Sequence, residues 1–292
     1  MQLSKIITLA NKKVHLAFLA MERSLRATGC QLPLWVIPYD DNLFSLPANA
    51  HWWDVSACSS WVKEHQLHPQ LRKYQCLLTD AYQFVDTDVI FLRDPSTVLS
   101  LHSGFITCCG HWHNPQQTYT QESLSLLKKR TTTWQKDVFN TGQFACDRAL
   151  YTIDSLIATA STYPSTCMPP HQAYTHEQPG LNLLVMLSQI QVTNLTLATP
   201  YLESSWAGDY PDANFQDYWK NPEQKPYLIH WAGSKMNPKT AISTLFFNYL
   251  TQAEKEEYLR TLPALHTPLF TKLYRALRAA KKAFQEHFFS QA

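Results

Sequence analysis

The sequence predicts an α/β fold, a mostly parallel central sheet flanked by helices. Three observations carry this expectation. Short apolar runs, Ile6–Leu9, Leu34–Ile37 and the run ending in Phe84-Val85, alternate with stretches of helical spacing. A chain of 292 residues suffices for one large α/β domain or two small ones. Apolar residues make up 45% of it and charged residues only 16%, so a sizeable core is available.

The elements follow in order. Ile6–Leu9 is the first strand. Val14–Ala27 has helical spacing and closes at Gly29. Leu34–Ile37 is the second strand, ended by Pro38. Ser59–Gln66 and Pro69–Leu78 read as helical, and Phe84 leads a strand into Asp86. Val89–Leu92 is another short buried strand. In the second half, Phe105–Cys109, Phe139–Ala145 and Tyr227–Trp231 read as strands. Asp147–Ala160 reads as a helix capped by Asp147, and Pro179–Leu187 as a shorter one. Two polar, aromatic segments, His111–Val138 and Thr199–Pro226, read as long connections of the kind that form lids or binding loops. No internal repeat or linker is visible before about residue 250, so residues 1–250 form one expected domain and 251–292 an extension.

Composition narrows the function. The low charge content excludes a disordered chain, and a net charge of +2 gives no general drive toward nucleic acid. Aromatic residues at 13%, nine of them Trp, can build flat surfaces for a sugar or a base. The seven cysteines show no CxxC spacing, which argues for reduced, buried thiols rather than a disulfide frame or a zinc site. No signal peptide precedes the first strand and no run reaches the length of a membrane span, so a cytoplasmic location is expected.

The chemistry centres on Tyr82-Gln83-Phe84-Val85-Asp86-Thr87-Asp88-Val89-Ile90-Phe91-Leu92. Asp86 and Asp88 sit where one buried strand stops and the next begins. Alternate residues of an extended chain point the same way, so both carboxylates project together. Two such carboxylates repel unless a positive charge lies between them, and a divalent ion with a ligand phosphate answers that need. The plain alternative is a turn. His230 ends the apolar Tyr227-Leu228-Ile229 and is followed by Gly233 and Lys235. There an imidazole can meet a metal, a glycine lets backbone approach a phosphate, and a lysine neutralises it. Two carboxylates and an imidazole suit Mn²⁺ somewhat better than Mg²⁺. Asn140, within Phe139-Asn140-Thr141-Gly142, offers an amide to a ligand hydroxyl, although Gly142 also fits a bulge. Glu177 and Gln178 precede a helix, where an acid also suits the dipole. Arg72 and Lys73, before the Asp pair, read as a solvated face more often than as phosphate ligands, and Lys73 is kept as a donor-binding candidate.

Taken in order, apolar strand, Asp-x-Asp, Asn-x-Gly, acid-Gln-x-x-Leu-Asn and His-x-x-Gly with a Lys resemble the motifs of GT-A nucleotide-sugar glycosyltransferases. The likeness is greatest to glycosyltransferase family eight, the galactosyltransferase- and glycogenin-like enzymes, over about residues 3–250. The resemblance implies a Rossmann-like nucleotide-diphospho-sugar transferase fold. It implies that Asp86, Asp88 and His230 hold Mn²⁺ (or Mg²⁺) against the donor diphosphate, with Thr87 between the acids. Gly233 and Lys235 would contact that diphosphate, Ala10 and Asn11 the base, and Asn140, Glu177 and Gln178 the donor sugar. The implied reaction moves a hexose from a UDP-sugar to a glycan or lipid-linked acceptor, with retention. The chain departs from the family pattern in three places: one residue is missing before Lys235, Asn11 replaces an acid after the first strand, and Pro179 replaces a second acid after Gln178.

Two other readings compete. A haloacid-dehalogenase-like phosphatase also carries Asp-x-Asp after an apolar strand, but on its first strand. A non-catalytic sugar-nucleotide or glycan-binding protein needs the same metal site. Trp206, Tyr210, Tyr218 and Trp219 are candidates to stack on an acceptor, or to pack within their loop. At the carboxyl end, Leu269, Leu273, Leu277, Ala280, Phe284 and Phe288 recur at helical spacing among Lys and Arg residues. A basic amphipathic helix of this kind either lies peripherally on the anionic inner face of a membrane or packs on the domain.

Overall fold

The computed structural model describes residues 1–110, 112–173, 176–233 and 236–262. Lys235 and the amphipathic stretch after residue 262 lie outside the described residues. The chain divides into two compact units, Met1–Leu250 and Thr251–Ala292.

The first unit opens with β1 (Lys5–Ala10), α1 (His15–Ala27) and β2 (Leu34–Pro38). Gly29 ends α1 at φ +89°, a left-handed conformation that costs glycine little, and its N–H donates to Arg26 O. Next come β3 (Ala50–Trp52) and α2 (Ser56–Glu64). Pro69–Leu78 then winds as a 3-10 helix rather than an α-helix, started by Pro69 behind a His68 cap. β4 (Tyr82–Val85) and β5 (Val89–Phe91) flank the two acids, followed by α3 (Pro95–Leu99) and β6 (Phe105–Thr107).

The second half corrects several expectations. The connection 111–138 contains a helix, α4 (Gln121–Arg130), whose N-terminus is closed by a Thr120–Ser123 capping box. The strand expected from Phe139 begins only at β7 (Gln143–Cys146). Asp147 caps no helix; its carboxylate accepts from Gly104 N at 2.7 Å and pairs with Arg148. Thr152 caps α5 (Ile153–Thr162) instead, and α6 (Pro164–Cys167) and α7 (Gln178–Leu187) follow. β8 (Val192–Asn194), β9 (Leu228–His230) and α8 (Thr244–Phe247) complete the unit. In the second unit, α9 (Gln252–Thr261) starts at a Thr251–Glu254 capping box.

The central sheet runs β3-β2-β1-β4-β7-β6-β8. Its neighbours pair in parallel except at β7, which runs antiparallel to both β4 and β6. Every residue of β1 and β4 is buried. Side chains alternate across the sheet, so Ile7 and Leu9 enter one apolar cluster while Ile6 and Ala10 enter the other. The first cluster is closed by α2, α5, α7 and the 3-10 helix, through residues such as Trp61, Leu156, Leu181 and Leu71. The second is closed by α1 through Phe18, Met21 and Leu25, and by β5 and β9, which pair as a separate antiparallel ribbon. The antiparallel run of β7 matters for function. It brings the chain entering β7, residues 140–142, beside the chain leaving β4 at Asp86.

None of the seven cysteines, all of them described, is in a disulfide, and six are buried. No described helix is long and apolar enough to cross a membrane.

Candidate functional site

Asp86 follows β4 and Asp88 precedes β5, while His230 ends β9 directly opposite Val89. Backbone bonds hold the three together. Asp86 N donates to Gly142 O at 2.8 Å, Trp231 N to Asp88 O at 3.1 Å, and His230 N to Ser205 O at 2.7 Å. One carboxylate oxygen from each acid and a nitrogen of His230 lie within 4.8 Å of one another. His230 Nε2 is 3.3 Å from Asp88 Oδ1 and 3.9 Å from Asp86 Oδ2. Gly142 makes room for this cradle: a Cβ there would stand 2.0 Å from His230 Cε1 and 2.8 Å from Asp86 Oδ2. Two hard oxygens and a borderline imidazole converging on one point fit a divalent ion.

Behind the triad stands Lys73, 1% exposed along its side chain. Its ammonium donates to Asp86 Oδ1 at 3.1 Å, Thr141 O at 3.2 Å and Glu177 Oε1 at 2.7 Å. All three ammonium hydrogens are therefore used inside the protein. The solvated face expected for Lys73 is not what forms, because the 3-10 helix turns it inward beneath β4. Burial works against the charged lysine, yet the charges of Asp86 and Glu177 hold it well above its usual value. Burial likewise works against Glu177, but the Lys73 charge and hydrogen bond, with a 2.7 Å bond from Thr141 Oγ1, keep it below the usual carboxylate value. Asp86 is raised, first by burial and further by the Asp88 charge. Asp88 is lowered, since its contacts with His230 outweigh burial. His230 is raised by Asp88 and Asp86 despite burial. Three carboxylates thus face one ammonium and one imidazole, an imbalance that a dication would correct.

The other expected residues fall into place unevenly. Ala10 and Asn11 lie at the carboxyl end of β1, and Asn11 is tied up: its Oδ1 caps Lys13 N and its Nδ2 donates to Asp40 Oδ2 at 2.8 Å. Thr87 is buried between the acids. Gln178 accepts from Thr141 N at 3.1 Å and donates to Gln117 O at 3.1 Å. Asn140 Oδ1 accepts from Gly142 N at 2.8 Å. Gly233 follows His230 of the triad at φ +62°, a conformation that favours glycine.

A cavity of about 440 Å³ opens beside the triad, with His230, Asn140, Gln178 and Gly233 on its wall. Trp206 also lines it, its indole N–H bonded to Ala232 O at 2.9 Å. The remaining aromatic candidates do not. Tyr210 is buried and packs edge-on against Tyr218 and Trp219, so these three form a cluster inside their loop.

No protein-family model matches the sequence, and no curated protein matches it by sequence. Solved structures do match. WbbM, a bifunctional glycosyltransferase in its apo form, superposes at a TM-score of 0.54 and 13% identity, covering 90% of this chain and 52% of its own. The glycosyltransferase GlyE of Streptococcus pneumoniae TIGR4 superposes at 0.51 and 13% identity, covering 91% of this chain and 66% of its own. The chain has a glycosyltransferase fold. It spans about half of the first of those proteins and about two thirds of the second.

Within this glycosyltransferase fold the acids stand beyond the carboxyl end of β4, where ligands of open α/β sheets bind. Sequence reasoning missed Thr141 and Gln143 as parts of the site. Thr141 bonds Glu177 and Gln178, and Gln143 lines the cavity. Their signal was the polar Asn-Thr-Gly-Gln run set between Phe139 and Phe144.

Proposed function

We propose that this chain is a metal-dependent glycosyltransferase, which moves a hexose from a UDP-sugar to a glycan or lipid-linked acceptor with retention. The observation that carries this reading is the Asp86–Asp88–His230 cluster at the carboxyl end of β4 in a glycosyltransferase fold. The triad would hold Mn²⁺, which when bound supplies charge stabilisation to the leaving diphosphate. Gly233 and Lys235 would meet that diphosphate, and Ala10 and Asn11 the base. Asn140, Glu177 and Gln178 would surround the sugar. Lys73, with all its donors engaged, would act from behind by fixing Asp86 and Glu177 rather than by touching a phosphate. In the transfer, the acceptor hydroxyl oxygen bonds to the anomeric carbon as that carbon's bond to the diphosphate oxygen breaks, and the hydroxyl proton passes to the released diphosphate. The motif order supports a family eight relationship, and the shortened spacing to Lys235 sets the chain apart from it.

The phosphatase reading has less support. It needs a nucleophilic aspartate on the first strand of the sheet, and here Asp86 follows β4 with one oxygen held by Lys73.

The test is a thermal-shift screen of nucleotide sugars with and without Mn²⁺, followed by product analysis for the stabilising donor. A metal-dependent rise in Tm with a UDP-sugar is expected, because a ligand that binds the native state raises its melting temperature. No shift with any nucleotide sugar, or full turnover in excess chelator, overturns the proposal.

A further inference from the structure

Gln143 is a polar residue at a position where the fold suits an apolar one. It opens β7, every residue of which is buried, and it is only 1% exposed. β7 lies inside the central sheet, between β4 and β6. Side chains alternate along it: Phe144 and Cys146 enter the first apolar cluster and Ala145 the second. Gln143 therefore projects with Ala145, toward the side that carries β5, β9 and His230.

The Gln143 Oε1 is shut from bulk water and has no hydrogen-bond partner among the described residues. A buried amide oxygen without a donor destabilises the fold, and Leu or Met in its place would leave no such group unpaired. Packing thus gives no reason for a glutamine here, whereas a ligand that brings the missing partner does.

The position says which ligand. Gln143 lines the cavity beside the triad, on the same wall as Asn140, Gln178 and His230. In the glycosyltransferase reading those three meet the donor sugar and the metal, so the group that reaches Gln143 is the donor sugar. Pairing with Val85, one residue before Asp86, fixes the Gln143 backbone and leaves only its side-chain torsions to adjust. A half-turn about the last of them exchanges the amide oxygen and nitrogen, which differ little in size. The amide then meets a hydroxyl as acceptor or as donor, and a hydroxyl answers either.

We propose that Gln143 is a specificity-determining residue of the donor pocket, its amide hydrogen-bonded to a hydroxyl of the transferred hexose. The inference rests on the glycosyltransferase reading and adds to it: the donor carries a free hydroxyl at the ring position that faces Gln143, and a donor deoxygenated there is bound poorly. UDP alone lacks the group and does not sense the residue.

Isothermal titration of the full chain with Mn²⁺ present tests this. The probes are UDP, UDP-glucose, UDP-galactose and UDP-N-acetylglucosamine, then the ring-deoxy analogues of whichever sugar donor binds most tightly. In the parent, loss of one particular hydroxyl should weaken binding about fivefold or more, the net worth of one hydrogen bond. Gln143→Met keeps the length of the side chain and removes its amide. It should weaken the intact UDP-sugar by the same factor, leave UDP within about twofold, and bind that one deoxy analogue as well as the parent does. Its Tm without ligand should equal or exceed the parent's, because an unpartnered polar group is gone. A purely structural role gives the opposite pattern, a lower Tm with equal losses for UDP and UDP-sugar. That pattern, an unchanged UDP-sugar affinity, UDP binding without any UDP-sugar, or a deoxy series in which no hydroxyl loses its effect in Gln143→Met overturns the inference. The deoxy series in the parent needs no variant to fold. UDP-sugar binding by the parent keeps the donor reading whatever becomes of Gln143, and a parent that binds neither UDP nor any UDP-sugar overturns that reading and the inference with it.

Discussion

The buried Lys73 pairs with the half-buried Asp86 at 3.1 Å, and the same ammonium reaches the buried Glu177 at 2.7 Å. The pair joins the end of β4 to the start of α7. It therefore couples the carboxylate of the Asp86–Asp88–His230 triad to the one beside Gln178. A single cation between two carboxylates fixes both their positions and favours the ionised form of each.

Lys73→Met should destabilise the fold by about 3–5 kcal/mol, because it leaves the buried Glu177 and the half-buried Asp86 without their counter-charge. Urea denaturation measures this. Adding Glu177→Gln in the same chain should recover part of the loss, since it removes one of the stranded charges. A Lys73→Met protein as stable as the parent would show that the pair contributes nothing.

Gly142→Ala tests the cradle. The glycine has no unusual φ, so alanine meets no backbone penalty and the strain falls on His230, 2.0 Å from the new Cβ. Mn²⁺ affinity should fall by about 10–100-fold, as when a metal-orienting neighbour is altered. Isothermal titration with Mn²⁺ reads it, with circular dichroism to check that the fold survives. Unchanged affinity would mean that His230 is not a ligand.

Asp88→Asn should abolish most Mn²⁺ binding and most turnover while the protein remains folded. The acid's pairing partner is His230, at 3.3 Å, so an amide keeps the shape and removes the charge. A variant that turns over at the parent's rate in excess chelator would remove the metal from the reaction.

Acid should act through Glu177. Its folded-state value lies below the ordinary 4.5, so the unfolded chain takes up its proton first. Its contribution to stability is therefore fully present above pH 4.5 and is lost as pH falls through the folded value. The stability gap between the parent and Glu177→Gln should be widest near neutral pH and shrink on acidification. A gap that stays constant or widens in acid contradicts the sign.

The α/β class was legible because strands buried on both faces leave unbroken apolar runs. Lys5–Ala10 and Tyr82–Val85 are read directly as such. Asp86, Asp88 and His230 were legible as a set because each directly follows or precedes such a run. Short or edge elements were not. β3, β8 and α3 span three to five residues, too few for a period to emerge, and β3 is only half-buried. The Asp147 cap failed because a carboxylate serves any nearby N–H, and Gly104, distant in sequence, was the one folding delivered.

The sequence by itself determined which residues are apolar and at what period, and so the sheet, its helices and the placing of two acids at a strand end. Only the tertiary structure decided that Lys73 faces inward, that β7 runs antiparallel and delivers Thr141, Gly142 and Gln143 to Asp86, and that Trp206 alone of four candidate aromatics among the described residues reaches the cavity. The physical reason is range. Periodicity is a local property of neighbouring residues, whereas a buried charge finds its partner across 104 positions, as Lys73 does with Glu177, only once the sheet has set the distance between them.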